Sequence, residues 1–188
     1  MPLGESGAFA LPPTVSRPAL LDAGSDQRFR RMVYDLLTIA IRMEAVREHL
    51  GRQLSITAPQ YSVLMAIAQF QGRRGVSVGT LARVLHVSSA FIASETGKLA
   101  RQGFVVKRPN PKDRRGVLLG LTRAARLQLT RLAPEIRAVN DIFFSTLSRA
   151  DFDGLAKAAA ALVGSSSKVM QRLRLLAVDN AAQLEAAE

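Results

Sequence analysis

Residues 77–122 read SVGTLARVLHVSSAFIASETGKLARQGFVVKRPNPKDRRGVLLGLT, and the pattern of this stretch decides the fold of the chain. The first part predicts a short helix over 78–86, followed by a tight turn. Ser88 can cap a second helix, because its side-chain oxygen can accept a hydrogen bond from the first helical turn. That helix is expected to end at Gln102, and Gly103 suits the left-handed residue that closes many helices. The pattern therefore predicts a helix–turn–helix.

A predicted β-hairpin follows the second helix directly. Two β-rich runs, 104–106 and 117–119, flank a basic and proline-stiffened loop over 109–115. A helix–turn–helix followed by a basic hairpin is the winged-helix arrangement. In it the second helix can lie in the major groove of DNA while the hairpin reaches the flanking minor groove. The predicted fold class is mainly α with a small β-hairpin wing.

Nearly all of the excess positive charge lies around this stretch. Residues 73–126 hold twelve Lys and Arg against two acids, Glu95 and Asp113, which gives +10 of the net charge of +11. An isolated charge run is most often a solvated face. Inside a winged-helix pattern, however, a concentrated basic surface favours a polyanion, so double-stranded DNA is the predicted partner.

Apolar residues at helical spacing predict long helices on both sides of this stretch. The predicted helices outside the winged-helix pattern cover 26–50, 57–70, 123–146 and 149–176. Gly51 is expected to stop the first of them. Pro134 should bend the third or remove one of its hydrogen bonds. The run 164–167, GSSS, is expected to weaken the middle of the last helix.

The composition excludes several classes of function. The chain has no cysteine and two histidines, which excludes disulfides, thiolate catalysis, Cys-based zinc sites and a His-rich metal site. It has no phosphate loop, no dinucleotide-binding motif, and no paired nucleophile and base, so neither enzyme activity nor a cofactor is expected. Because no apolar run approaches 18 residues and no signal-peptide pattern begins the chain, a cytoplasmic protein without a membrane span is expected.

Several runs of the winged-helix stretch resemble the MarR family of transcription regulators. The matching residues are 77–85, the turn 87–88, KLARQGFV over 98–105, and NPKDRR over 110–115 followed by Leu121 and Thr122. The Asp-x-Arg wing that ends in Leu-Thr is specific within winged helices. The order of the helices matches as well, and the resemblance covers roughly 26–176.

The resemblance implies how the chain is divided. The first and last helices, 25–51 and 123–176, would form a helical homodimerisation region, and 55–122 would be the DNA-binding lobe. Residues 1–24 are predicted to be a flexible arm and 177–188 a frayed tail. A homodimer would place two lobes about one duplex turn apart on a near-palindromic site.

In the wing, the resemblance assigns insertion into the minor groove to Arg115, held by an ion pair with Asp113. A narrow, A·T-rich groove concentrates negative potential, which suits an arginine. Other cations would mostly meet phosphates, which adds affinity without sequence information. These are Lys107, Arg108, Lys112 and Arg114.

The start of the second helix departs from many family members, which have an arginine there. Its expected DNA-contacting residues are Ser88, Ser89, Ala90, Ser94 and Lys98. None of them is a bidentate guanine reader, so more of the specificity is assigned to the wing and to DNA shape. Glu95 could accept from a cytosine amine, although an exposed acid or a partner for Lys98 is favoured. Phe91 is expected in the core rather than against a thymine methyl.

Two functions stay open. In the first, a regulator, most often a repressor in this family, is released from DNA by a small ligand, commonly an aromatic or phenolic acid. Arg42, Tyr61 and Met65 lie where the family forms a ligand crevice, although Tyr61 and Met65 suit the core equally and Arg42 could instead pair with a nearby glutamate. In the second, an architectural winged-helix protein binds DNA with low sequence specificity and has no effector.

Overall fold

The computed structural model describes the backbone of residues 11–111 and 113–185, and the side chains of these residues up to 177 except those of Arg114 and Arg115. A short 3-10 helix (Pro18–Leu20) precedes the main elements. These are α1 (Gln27–Gln53), α2 (Ala58–Phe70), β1 (Val76–Ser77), α3 (Val78–Leu85), α4 (Ser89–Arg101), β2 (Val105–Asn110), β3 (Asp113–Leu121), α5 (Arg123–Phe143) and α6 (Arg149–Glu185). The mainly helical fold with a small β wing is confirmed. The chain divides into two compact units, Met1–Arg137 and Ala138–Glu188.

The core of the first unit holds the helix–turn–helix against the sheet. Fully buried leucines and isoleucines come from α2, α3, α4 and β3, among them Leu64, Ile67, Leu81, Leu99 and Leu119. Burying each of these side chains contributes about 1.5–3 kcal/mol relative to leaving it exposed. Thr57 and Gln60 make a reciprocal capping box at the start of α2. The lobe therefore holds α4 on a rigid base.

The wing is a longer hairpin than the sequence predicted. The sheet is antiparallel with strand order β1-β3-β2, and β2 pairs with β3 from Val105 opposite Leu121 to Asn110 opposite Asp113. The predicted loop over 109–115 is wrong, because only residues 111 and 112 separate the two strands. Pro109 is tolerated because β2 is an edge strand. Such a strand pairs with a neighbour on one side only and can accommodate a residue without an N–H.

Gly51 does not stop the first helix, because α1 continues to Gln53. A Cβ at Gly51 would lie 2.8 Å from the carbonyl oxygen of Ile56 and 3.3 Å from the backbone of Thr57. Glycine is therefore needed here for the close approach of α1 to the segment that enters α2. The sequence pattern located the glycine but assigned it the wrong role.

The last helix is continuous where the sequence predicted weakness. α6 runs through 164–167 and continues beyond Ala177 to Glu185. The frayed tail predicted for 177–188 stays a prediction, and residues 186–188 lie outside the described residues. Within it the hydroxyl of Ser166 donates to the carbonyl oxygen of Val163 at 2.8 Å, so this serine is satisfied by the helix itself. The start of α6 is capped, since the amide of Asp151 donates to Ser148 Oγ at 3.2 Å and the amide of Ser148 donates back to the Asp151 carboxylate at 3.1 Å.

The described part of the N-terminal arm, from residue 11, is attached to the start of α1. The amide and the hydroxyl of Thr14 both donate to Asp26 Oδ2, each at 2.7 Å. Arg30 donates to the other carboxylate oxygen at 2.5 Å, and Asp26 is only 4% exposed. The flexibility of the arm stays a prediction, although residue 14 contacts the start of α1, and residues 1–10 lie outside the described residues.

We expect the attachment at Asp26 to make stability depend on pH in the acid range. The hydrogen bonds from Thr14, helped by the charge of Arg30, hold the pKa of Asp26 below its ordinary value of 3.8. A carboxyl whose pKa is lowered by folding stabilises the protein above the unfolded pKa and loses that contribution as the pH falls through the folded pKa. Asp26→Asn should therefore lower Tm above about pH 5, and the difference should shrink at lower pH. Thermal unfolding of both proteins from about pH 2 to 7 measures this, and a difference independent of pH would contradict it.

Candidate nucleic-acid interface

The turn before α4 presents the start of this helix to solvent. His86 adopts a left-handed conformation with φ of 53°, and Ser88 Oγ accepts a hydrogen bond from the amide of Phe91 at 3.1 Å. All five residues predicted to contact DNA from this helix and its cap are exposed, namely Ser88, Ser89, Ala90, Ser94 and Lys98. Ala90, Ser94 and Lys98 recur every four residues, so they lie on one face of α4. That face is small and polar at its start and cationic towards its end.

Glu95 and Phe91 of α4, for each of which the sequence left two interpretations open, turn inward. Glu95 is 7% exposed, and its carboxylate accepts a hydrogen bond from Lys98 Nζ at 2.7 Å. This position favours the interpretation of Glu95 as the partner of Lys98 over that of a base-reading acid. Phe91 is half-buried and packs against the core, which favours the core interpretation. The exposed face of α4 therefore offers few groups for direct base readout.

Cations from the end of α4 and from the wing converge at Gly97. A Cβ at Gly97 would lie 3.9 Å from Arg101 Nη1 and 3.9 Å from Lys107 Nζ. Lys107 of β2 thus reaches across to the helix, where its ammonium group lies near the guanidinium group of Arg101 and forms a basic surface with it. Arg101 is absent from the residues predicted from the sequence, although its position one helical turn after Lys98 could have indicated it.

At the wing, Asp113 is exposed and its carboxylate folds back along the hairpin. A Cβ at Gly116 would lie 2.8 Å from Asp113 Oδ2, the end of an exposed side chain that can rotate away. Lys107 and Arg108 are exposed on β2. The side chains of Lys112, Arg114 and Arg115 lie outside the described residues, so the ion pair of Arg115 with Asp113 stays a prediction.

The residues predicted to line an effector pocket have different surroundings. Tyr61 is buried in the core, and this burial raises its pKa above 10.0. Met65 is half-buried against the same core, whereas Arg42 is exposed on α1. Nearby on α1, Arg47 pairs with Glu44, and its buried Nε has no hydrogen-bond partner among the described residues. An effector site at these residues stays a prediction.

Metal binding and membrane insertion are two further possibilities for the described part of the chain. No three His, Cys, Asp or Glu side chains gather there as metal ligands. None of the described helices combines the length and apolarity that crossing a membrane requires.

The helix–turn–helix, the antiparallel wing beside it and the cations exposed on both define a winged helix–turn–helix protein. Residues 54–116 match the model of the MarR family. The resemblance noted from the sequence is therefore confirmed over this lobe.

Two curated relatives carry regulatory names. The transcriptional activatory protein BadR of Rhodopseudomonas palustris is 38% identical over 84 residues, which cover 44% of this chain and 48% of BadR. The HTH-type transcriptional repressor YetL of Bacillus subtilis is 29% identical over 116 residues, covering 62% of this chain and 66% of YetL. The chain thus spans about half of the first relative and about two thirds of the second.

A solved structure shares the fold. A mutant MarR of E. coli, complexed with operator DNA, superimposes with a TM-score of 0.59 at 20% identity. The superposition covers 72% of this chain and 94% of that one. At this identity the likeness concerns the fold alone.

Proposed function

We propose that this protein is a sequence-specific regulator of transcription, a repressor, that binds a near-palindromic operator in double-stranded DNA as a homodimer. The observation that carries the proposal is the exposed basic surface that joins α4 to the wing through Arg101 and Lys107. Phosphates along a duplex are the natural complement of such a surface. The family match of this lobe and the names of both relatives support a role in transcription.

Sequence readout is assigned mainly to the wing. The exposed face of α4 has small side chains and no arginine near its start, so it can approach the major groove closely but makes few directional contacts. Arg115 is proposed to enter the minor groove, where its affinity depends on groove width and therefore on sequence. The other wing cations would add affinity that does not depend on sequence.

The homodimer is proposed because two helices expose large apolar side chains. On α1, Tyr34 is 66% exposed and Ile41 is 70% exposed. Every described side chain of α6, residues 149–177, is exposed as well. Long amphipathic helices owe most of their stability to burial of an apolar face, so a partner that covers these faces is required. A second copy of the chain would cover them and would also supply the second DNA-binding lobe.

Release by a small ligand, an aromatic or phenolic acid, completes the proposal. Such a ligand lowers DNA affinity only if it binds better to a conformation whose two α4 helices are wrongly spaced for the operator. Arg42, Tyr61 and Met65 are the candidate contacts, with Arg42 available for a carboxylate. Native mass spectrometry of the purified protein should show a bound small acid, and Arg42→Ala should abolish its effect on DNA binding.

Arg115→Ala tests the proposal for the wing. The operator is first selected from a randomised duplex library, and a two-fold repeat is expected among the selected sequences. Loss of a minor-groove arginine should weaken binding by roughly 10- to 100-fold, about 1–3 kcal/mol, and should relax the preference at the flanking A·T-rich positions. Fluorescence anisotropy with matched and substituted duplexes measures both effects. Arg131→Ala on α5 is a control of equal charge, and unchanged affinity and preference in Arg115→Ala would refute the assignment.

The small face of α4 also favours a second candidate, an architectural protein that binds DNA with little sequence preference. The two candidates differ in the ratio of specific to nonspecific affinity, measured at about 50 and 200 mM salt. A regulator should prefer its operator by roughly a thousandfold or more. A ratio near one would favour the architectural protein.

A further inference from the structure

We propose that a cleft on the outer face of the wing, lined by four arginines, binds a phosphate group, supplied in the bound state by the DNA backbone beyond the operator. Arg73 and Arg74 come from the turn between α2 and β1, Arg108 from β2 and Arg126 from the first turn of α5. This cleft lies apart from the surface of α4 and Lys107. The assignment of this phosphate to DNA rests on the proposed function, whereas the affinity of the cleft for a phosphate group does not.

The sheet register places the cleft on the face opposite to the core. Val105, Leu119 and Leu121 are buried and share one face of the sheet, together with Lys107, which is paired with Leu119. The residues between them, Val106, Arg108, Leu118 and Gly120, point to the other face, and these line the cleft. Arg108 and Lys107 therefore lie on opposite faces of β2.

The turn that carries Arg73 and Arg74 is fastened to the sheet. Gln71 Oε1 accepts a hydrogen bond from the amide of Leu121 at 2.8 Å, and the amide of Gly75 donates to the carbonyl oxygen of Gln71 at 2.7 Å. Gly75 has φ of 102°, and a Cβ there would lie 2.9 Å from the carbonyl oxygen of Leu119. Only glycine can combine this left-handed backbone conformation with such a close contact. The backbone that carries both arginines is thus held in place before a ligand arrives.

The charges in the cleft have no internal counterpart. None of the lining residues is acidic, and none of the four guanidinium groups takes part in an ion pair in the described part of the chain. Gathering four like charges around one cleft is unfavourable unless an anion neutralises them. Arginine suits a phosphate because its planar fork can donate two parallel hydrogen bonds to two phosphate oxygens.

The size of the cleft limits the ligand. Its free volume is about 20 Å³, room for a group the size of one water molecule. A phosphate could insert one oxygen and keep the rest at the mouth, where exposed guanidinium groups can reach it. The ring of an aromatic acid does not fit inside this space. A phosphate group on a larger molecule, such as a DNA backbone passing the outer face of the wing, does fit.

The first experiment compares two duplexes that share the selected operator, one ending at its edges and one extended by about 10 base pairs on each side. The wild type should bind the extended duplex about tenfold more tightly and with a steeper salt dependence, because more phosphates are neutralised. Arg73→Ala/Arg74→Ala should remove this advantage and leave the affinity for the short duplex within about twofold. Arg131→Ala/Arg137→Ala on α5 removes the same charge from two exposed positions elsewhere and should keep the advantage.

The second experiment uses no DNA and separates the two sources of phosphate. Inorganic phosphate should raise Tm of the wild type over chloride at equal ionic strength, and should not do so for Arg73→Ala/Arg74→Ala. The Tm of the two proteins in chloride checks that the variant folds.

Loss of the extended-duplex advantage assigns the site to the DNA backbone, whereas loss of the phosphate effect alone assigns it to a free phosphate or a phosphorylated small molecule. A double variant that keeps both effects overturns the proposal. A wild type that binds neither duplex but responds to phosphate would instead refute the proposed function.

Discussion

Leu162→Glu on α6 is expected to dissociate the proposed homodimer and to weaken operator binding at least a hundredfold. Apolar residues recur every seven positions along this helix at Leu155, Leu162, Val169 and Leu176, and Phe152 and Leu173 lie beside them on the same stripe. All six are between 42% and 57% exposed in the single chain. A seven-residue repeat of this kind is the pattern of helices that pack along one another.

The expected size of the effect follows from burying a charge without a partner, which costs about 3–5 kcal/mol, or a hundredfold or more in an equilibrium constant. In a symmetric dimer the substitution occurs twice. Sedimentation velocity measures the mass, and anisotropy with the operator measures DNA binding. Leu175→Glu is the matched control, because Leu175 is 60% exposed on the same helix but lies off the stripe. A dimeric Leu162→Glu protein with normal affinity would refute the role of α6.

Gly51→Ala is expected to destabilise the first unit by about 1–3 kcal/mol, the usual cost of forcing atoms into a well-packed interior. The sign of the change in the free energy of unfolding is informative, because alanine in a helix interior is normally favoured over glycine by about 1 kcal/mol. Here the new Cβ would lie 2.8 Å from the Ile56 carbonyl oxygen, a backbone atom that cannot move without shifting the segment into α2. Urea unfolding followed by circular dichroism measures the change.

Gly79→Ala provides the comparison for Gly51→Ala. Gly79 also lies in a helix of the first unit, α3, and a Cβ there would have no neighbour within 4 Å. The substitution should therefore leave stability unchanged or raise it, by up to about 1 kcal/mol. If both variants were equally stable, the contact of α1 with residues 56 and 57 would not require glycine.

Features determined by neighbouring residues in the sequence were predicted correctly. Ser88 caps its helix as expected, because a cap depends on a hydroxyl and on an amide three residues later. Gly103 adopts its predicted left-handed conformation, with φ of 80°. The winged-helix order followed from such local signals, and the placement of the α4 candidates on an exposed face followed from helical periodicity.

Features determined by residues distant in the sequence were not predictable. The role of Gly51 depends on the path of the chain after α1, and the length of the wing depends on pairing across the hairpin, which outweighs the turn preference of Pro109 and Asn110. The cleft on the outer face of the wing combines arginines up to 53 positions apart, from Arg73 to Arg126. Charge counting indicated the same arginines but could not assign them to opposite faces of the sheet.

The contact of Thr14 with Asp26 determines where the chain can be shortened. A protein trimmed to begin at residue 25 would keep all of α1 but would lose both hydrogen bonds that Thr14 donates. The Asp26 carboxylate would then be open to water, with Arg30 as its remaining ion-pair partner. A purification tag attached ahead of residue 11 keeps this contact, whereas proteolysis between residues 14 and 26 would cut the segment that holds it together.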